Sequence, residues 1–340
     1  MSRTRVAAIA MVLALAGCAT PTPREALPEA PLAFLYRTPA QGRDRADRLK
    51  SLRGEKKPSQ GGVMKLNEVG EMVDHLRGAR RDVSPELQGR IALFYPRSET
   101  LERLDAFLPG SIPCDWSDGH ERLLAAIRHL GRPRLYEYSR QRRDLSPSHG
   151  ARDGQVDGAY GPDGRIAYTE IKSSRDGSIR AVVWLTGSRG GRPRRLTAGP
   201  RDTAVRWSPD GHVVLFQSVL PGGTPVVEAI DVGDPSAAPR VLGRGREAAF
   251  SPRGDWVVYS RRRGDGWRLW RMRPDGSGKT AVGAAVQGDA DERHPTVSPD
   301  GRFVAYVAEE NDREQIRIRG MDGRGDRLLV QDGDGTLPIW

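Results

Sequence analysis

At most one disulfide bond is available to support this fold. The 340 residues contain two cysteines, Cys18 and Cys114, and stability must come mainly from buried apolar surface, which a chain of this length supplies. Metal chemistry is nearly as poorly provided for. The six histidines, at 75, 120, 129, 149, 212 and 294, show neither His-x-x-x-His nor His-x-His spacing, so no zinc site is read. No Gly-x-Ser-x-Gly elbow supplies a hydrolase nucleophile. The apolar run Val6–Ala16 is too short to cross a bilayer, which takes about 20 residues.

That short run has another use. Arg3 and Arg5 precede it and Leu15-Ala16-Gly17-Cys18 follows it, the charged region, apolar region and small-residue cleavage site of an export signal. The four-residue string resembles the processing box of bacterial lipoproteins. The resemblance implies removal of residues 1–17, acylation of Cys18, and, with Ala19 next in line, an outer-membrane, periplasm-facing destination. More than one acyl chain is needed for stable anchoring, and a multiply acylated cysteine meets that need. Residues 18–31, with Pro21, Pro23, Pro28 and Pro31, read as a semi-extended tether. Cys114 then has no disulfide partner and reads as a small core residue.

The formal charge is +10, or +8 once Arg3 and Arg5 are removed with the signal. Nucleic acid would suit a basic surface, but export argues against it. Anionic headgroups or acidic proteins fit better.

The body of the chain repeats. Trp207-Ser208-Pro209-Asp210-Gly211, Phe250-Ser251-Pro252-Arg253-Gly254 and Val297-Ser298-Pro299-Asp300-Gly301 are plain copies; Tyr160-Gly161-Pro162-Asp163-Gly164 and the shorter Trp116-Ser117-Asp118-Gly119 are two more. The anchors 116, 160, 207, 250 and 297 lie 44, 47, 43 and 47 residues apart, and a further 43 reaches Trp340. Each unit carries turn chemistry: proline presets φ, aspartate accepts backbone hydrogen bonds and glycine takes positive φ. Alternating strands flank it, such as Val213–Phe216 and Phe303–Tyr306. Four antiparallel strands in about 45 residues make one propeller blade. The strings "WSPDG", "VLF" and "RRLT" resemble the TolB-type, WD-repeat-like β-propeller family over residues 113–340, with a weaker match over 80–112. The resemblance is to the propeller only, because residues 19–80 are too short and irregular for the α/β domain that precedes it in TolB.

The expected fold is all-β: one propeller over residues 32–340, with residues 38–60 as an inserted loop. Trp340 stands at the first-strand position of an incomplete blade, which N-terminal strands complete. Two closures are open. With six blades, Arg90–Tyr95 and Arg103–Leu108 complete it. With seven, Val83-Ser84-Pro85-Glu86 is a degenerate anchor and Leu32–Arg37, Val63–Val69 and Glu71–Leu76 close the ring. The near match of residues 83–95 to 297–306 favours seven.

Acidic clusters at Asp289-Ala290-Asp291-Glu292 and Asp332-Gly333-Asp334-Gly335 lack the spacing of a completed calcium loop and read as ordinary turns; no cofactor is expected, with calcium at these clusters as the alternative. The Arg/Trp-rich stretch Arg261–Arg273 reads as a strand covered on both faces. The connections before each anchor gather at one channel end and bring Asp157, Asp202, Glu247, Glu292, Arg293 and His294, which makes them the candidate partner-binding residues. In TolB-type propellers that face binds a partner. The expectation is therefore a non-enzymatic envelope lipoprotein that binds another envelope protein or peptide there, with a saccharide-binding or glycan-cleaving propeller and a purely structural lipoprotein as alternatives.

Overall fold

The computed structural model describes residues 22–44, 89–129, 132–173, 179–187, 191–283, 291–310, 313–331 and 333–340. It is a ring of six four-stranded antiparallel sheets. Blade 1 joins the two ends of the described chain: its strands, from channel to rim, are Asp334–Ile339, Leu32–Arg37, Arg90–Tyr95 and Thr100–Arg103. Blades 2 to 6 follow in sequence, with inner strands Ile112–Trp116, Gln155–Tyr160, Thr203–Trp207, Arg246–Phe250 and Asp291–Val297.

The preference for seven blades is corrected by this pairing. Arg90–Tyr95 is the third strand of blade 1, paired to Leu32–Arg37 on one side and to Thr100–Arg103 on the other. Second and third strands share the same alternation of buried side chains, so the match of residues 83–95 to 297–306 did not distinguish one from the other. The outer strand is Thr100–Arg103 rather than Arg103–Leu108. Val63–Val69, Glu71–Leu76, the string Val83–Glu86 and the signal segment with Cys18 lie outside the described residues.

Alternation decides the packing. In the second strand of blade 4, Val214 and Phe216 pack with blade 3, while Leu215 packs with blade 5. Repeated around the ring, this gives six apolar clusters, one per seam between blades. Cys114 lies fully buried in the blade 2–blade 3 cluster, and burial pushes its thiol well up. The cluster between blades 6 and 1, built from Phe34, Phe94, Phe303, Ile316 and Trp340 among others, closes the circle.

The turn signature works as its chemistry requires. Ser208, Ser251 and Ser298 each accept the backbone N–H five residues on and donate to an aspartate of the same turn. The turn glycines 211, 254 and 301 have φ of 75°, 72° and 72°. These turns and the loops between third and outer strands lie at one end of the ring, the turn face. Inner strands begin at the other end, the mouth face.

Residues 22–31 do not run free as a tether. Leu27 is fully buried in the blade 6–blade 1 cluster, and the segment lies along that seam.

Candidate functional site

All six inner strands carry a register break three to five residues before their ends. In four consecutive blades the break holds a non-glycine residue in the left-handed region: Ala204, Glu247, His294 and Leu337, with φ of 55°, 55°, 49° and 55°. Each stands three positions before its anchor. Such a conformation costs about 1–3 kcal/mol per residue and concentrates at ligand sites. The bulge turns these side chains out of the sheet's alternation, and all four are partly exposed beside buried neighbours. They form an arc around the mouth.

The arc is charged where blades 5 and 6 meet. Glu247 Oε2 accepts the His294 backbone N–H at 2.7 Å and the Ser260 hydroxyl at 3.3 Å. Its Oε1 lies 3.3 Å from His294 Nε2, 3.6 Å from Arg246 Nε and 4.0 Å from Arg293. Burial works against the Glu247 carboxylate, but Arg246, His294, Arg293 and the accepted N–H outweigh it and hold the group at about 2. Burial lowers His294 to about 4 even though Glu247 opposes the shift, so the imidazole is neutral at pH 7. Arg246 is buried with its guanidinium 3.7 Å from the centre of the Trp267 ring; burial lowers it to about 10, and it stays charged. Arg293 also bonds Glu309 at 2.5 Å.

The other candidates do different work. Asp157 is buried and accepts the Val205 N–H at 2.8 Å across the blade 3–blade 4 seam, with Arg206 3.6 Å away. Asp202 is buried and accepts the Gly199 N–H within its own loop. Glu292 follows the strand's other face: it accepts the Leu269 N–H at 2.9 Å and pairs with buried Arg319 at 2.7 Å. Of the six, then, Glu247, Arg293 and His294 come together at the mouth, while Asp157, Asp202 and Glu292 hold the framework. Arg246 and Glu309, not marked by the sequence reading, complete the mouth cluster with Trp267 of the Arg/Trp-rich stretch.

Asp157 and Glu247 also belong to a wider pattern of bonds that cross each seam beside the channel. The Asp115 carboxylate takes the Tyr160 N–H at 2.8 Å, Gln217 takes the Glu247 N–H at 3.3 Å, and Thr296 takes the Trp340 N–H at 3.1 Å. Trp116 Nε1 donates to Ile339 O at 3.3 Å. With the Asp157 and Glu247 bonds, every seam is crossed. Burial raises Asp115 to about 6 against the pull of Arg206 and its accepted N–H.

Among the described residues of the two acidic clusters, Asp291 accepts the Trp267 N–H, Glu292 pairs with Arg319, and Asp334 pairs with Arg313. No group of three potential metal ligands occurs among the described residues. In the Arg261–Arg273 stretch, Leu269 and Met272 are buried. Arg261 stacks on Trp270, and Arg271 and Arg273 both stack on Trp256, at 4.5, 4.4 and 4.1 Å.

The sequence model of the TolB beta propeller domain matches residues 112–340. An uncharacterised protein of Agrobacterium fabrum is 28% identical over 174 residues, 47% of this chain and 58% of that protein. The match thus spans less than two thirds of the relative's length. Among solved structures, TolB from Acinetobacter baumannii superposes with a TM-score of 0.66 at 17% identity, covering 98% of this chain and 71% of that one. A putative TolB from Agrobacterium tumefaciens superposes with a TM-score of 0.55 at 20% identity, covering 71% of this chain and 87% of its own. At these identities the superpositions speak for the fold.

Proposed function

This chain belongs to the TolB beta propeller family, and on that premise we propose that it is a non-enzymatic, lipid-anchored envelope protein whose propeller binds another envelope protein or peptide at its channel mouth. The observation that carries this reading is the strained arc of Ala204, Glu247, His294 and Leu337. Four successive blades each hold an unfavourable backbone conformation near the mouth end of the inner strand, and strain of this kind clusters at ligand sites. A rigid ring that presents several loops around one opening suits recognition of a protein surface.

The chemistry of the cluster favours binding over catalysis. A glycan-cleaving site needs a carboxyl poised to give or take a proton near neutral pH; Asp115, raised to about 6, lies outside the mouth cluster and is committed to the Tyr160 N–H across the blade 2–blade 3 seam. Glu247, held at about 2 with both oxygens engaged, is a fixed anion. His294, neutral and a quarter exposed, stands beside Arg293, which is held between Glu309 and Glu247, and the cluster offers a polar edge for a partner's side chains. The export signal and Cys18 supply the envelope location and the lipid anchor in this reading.

The test is affinity capture from solubilised envelopes with the intact lipoprotein and a variant carrying Arg293→Ala and His294→Ala. Glu247 and Glu292 are left in place because they hold backbone N–H groups. A specific protein recovered with the wild type and lost with an equally stable variant supports the mouth as the binding face. Recovery that ignores both substitutions refutes that assignment.

A further inference from the structure

Where the first described residues leave the ring bears on how it meets a membrane. The Thr22 backbone N–H and hydroxyl both donate to Gly325 O, at 3.3 and 2.8 Å, and the Thr22 carbonyl accepts Arg327 at 3.3 Å. Further along, the Ala26 carbonyl accepts Arg302 at 2.9 Å, the Leu27 carbonyl accepts Arg97 at 3.2 Å, and the Ala30 carbonyl accepts Trp340 Nε1 at 3.2 Å. Arg24 and Arg327 both pair with Glu99, and Arg97 pairs with Glu29. These partners share one address. Gly325 lies in the loop between the third and outer strands of blade 6, Arg302 ends that blade's Ser-Pro-Asp-Gly turn, and Arg97 and Glu99 lie in the corresponding loop of blade 1. All are on the turn face, at the seam that closes the ring.

Chain length then sets a limit. Three residues separate Thr22 from Cys18, so the four intervening Cα steps reach at most about 14 Å when fully extended. That is roughly the headgroup layer plus one layer of side chains. The mouth face lies at the far end of the inner strands, and at this seam those of blades 6 and 1, with seven and six residues, rise about 20 Å.

We propose that the turn face around the blade 6–blade 1 seam is a membrane-apposed surface lying against lipid headgroups, so that the channel mouth opens away from the bilayer. The proposal rests on the lipid-anchor reading. Its occupant is the bilayer to which Cys18 is tied. The Arg24, Arg97 and Arg302 side chains pair with Glu99, Glu29 and Asp300 yet stay about half exposed at 50%, 45% and 57%, so their outer N–H groups face the depth of the phosphates. The chain also departs at Arg37 and returns at Gly89 on the mouth face, so the long insertion between them is rooted on the membrane-distal side.

The test uses the full-length acylated protein, with Cys114 replaced by alanine, in phosphatidylcholine vesicles that carry a headgroup nitroxide. One fluorophore is placed at S98C on the turn face or at D265C on the blade 5 hairpin of the mouth face; both positions are exposed. The expected result is quenching at residue 98 several-fold stronger than at residue 265, with the difference abolished by a 20-residue Gly/Ser insertion after Pro21. Equal quenching, or stronger quenching at 265, in protein that floats with the vesicles overturns the orientation and leaves the anchor standing. Failure to float, together with an unmodified N-terminus by mass spectrometry, overturns the anchor and the orientation with it.

Discussion

Replacing Leu27 by alanine asks whether residues 22–31 are a strap or a tether. Leu27 is fully buried among the apolar side chains of the closing seam. Truncating a leucine in such a site loses its transfer free energy and leaves a cavity, together about 2–5 kcal/mol. Roughly 300 folded residues unfold with an entropy near 0.6 kcal/mol per kelvin, so the melting temperature should fall by about 3–8 °C. Leu108, 59% exposed, is the matched control: its truncation should cost less than about 0.5 kcal/mol, under 1 °C. The assay is thermal unfolding by circular dichroism at one fixed scan rate, since a chain of this size can unfold irreversibly. A Leu27→Ala melt within 1 °C of the wild type would mean that the segment is detached in solution. That result would also remove the geometric basis for the proposed orientation on the membrane.

The mouth cluster should make stability depend on pH in a defined window. His294 is lowered to about 4 in the fold against about 6.5 unfolded, so its contribution is fully present above pH 6.5 and lost as pH falls toward 4, on the order of 3 kcal/mol. Glu247, held at about 2, acts in the same direction below about pH 4.5, whereas Asp115, raised to about 6, acts oppositely as pH rises from about 4 to 6. Comparison with His294→Gln isolates the histidine: its melting temperature should fall less steeply than the wild type's between pH 6.5 and 4, and parallel curves would contradict the assignment. The blade count is checked by Tyr36→Cys with Arg90→Cys, residues that face each other across the two middle strands of blade 1. In a Cys114→Ala background the pair should oxidise to one intramolecular cross-link, and failure to do so would reopen the seven-blade closure.

The repeat was legible because blades 2 to 6 each keep inner strand, turn and second strand together in sequence, so proline, glycine and serine chemistry marked every junction. Blade 1 lacks that mark. Its inner strand is Asp334–Ile339 and its second is Leu32–Arg37, so no Ser-Pro-Asp-Gly turn joins them. Its second and third strands are 52 residues apart in sequence, and a proline-containing string near residue 84 offered a false anchor. The packing of residues 22–31 was hidden for a related reason: one leucine among three prolines gives no periodicity, and its burial depends on blade 6.

At the mouth, Glu247 and His294 were legible as titratable residues of the connections before each anchor. Their shared left-handed backbone, three positions before each anchor, was not, because glutamate and histidine do not advertise positive φ as glycine does. The stack of Arg246 on Trp267 was hidden as well, since it joins residues from the first and third strands of blade 5. The division between mouth residues and seam residues followed from the bulge, which sends the Glu247 carboxylate to His294 and Arg246, while strand alternation sends Glu292 to Arg319.

The most direct test of the binding account places a photoreactive side chain at His294 on the mouth face, or at Arg253 on the turn face away from the closing seam, in cells that export and acylate the protein. Irradiation should join position 294 to a defined envelope protein in a band that is absent at position 253. Bands of equal strength at both positions, or none at 294 in a correctly folded and exported protein, would contradict the account.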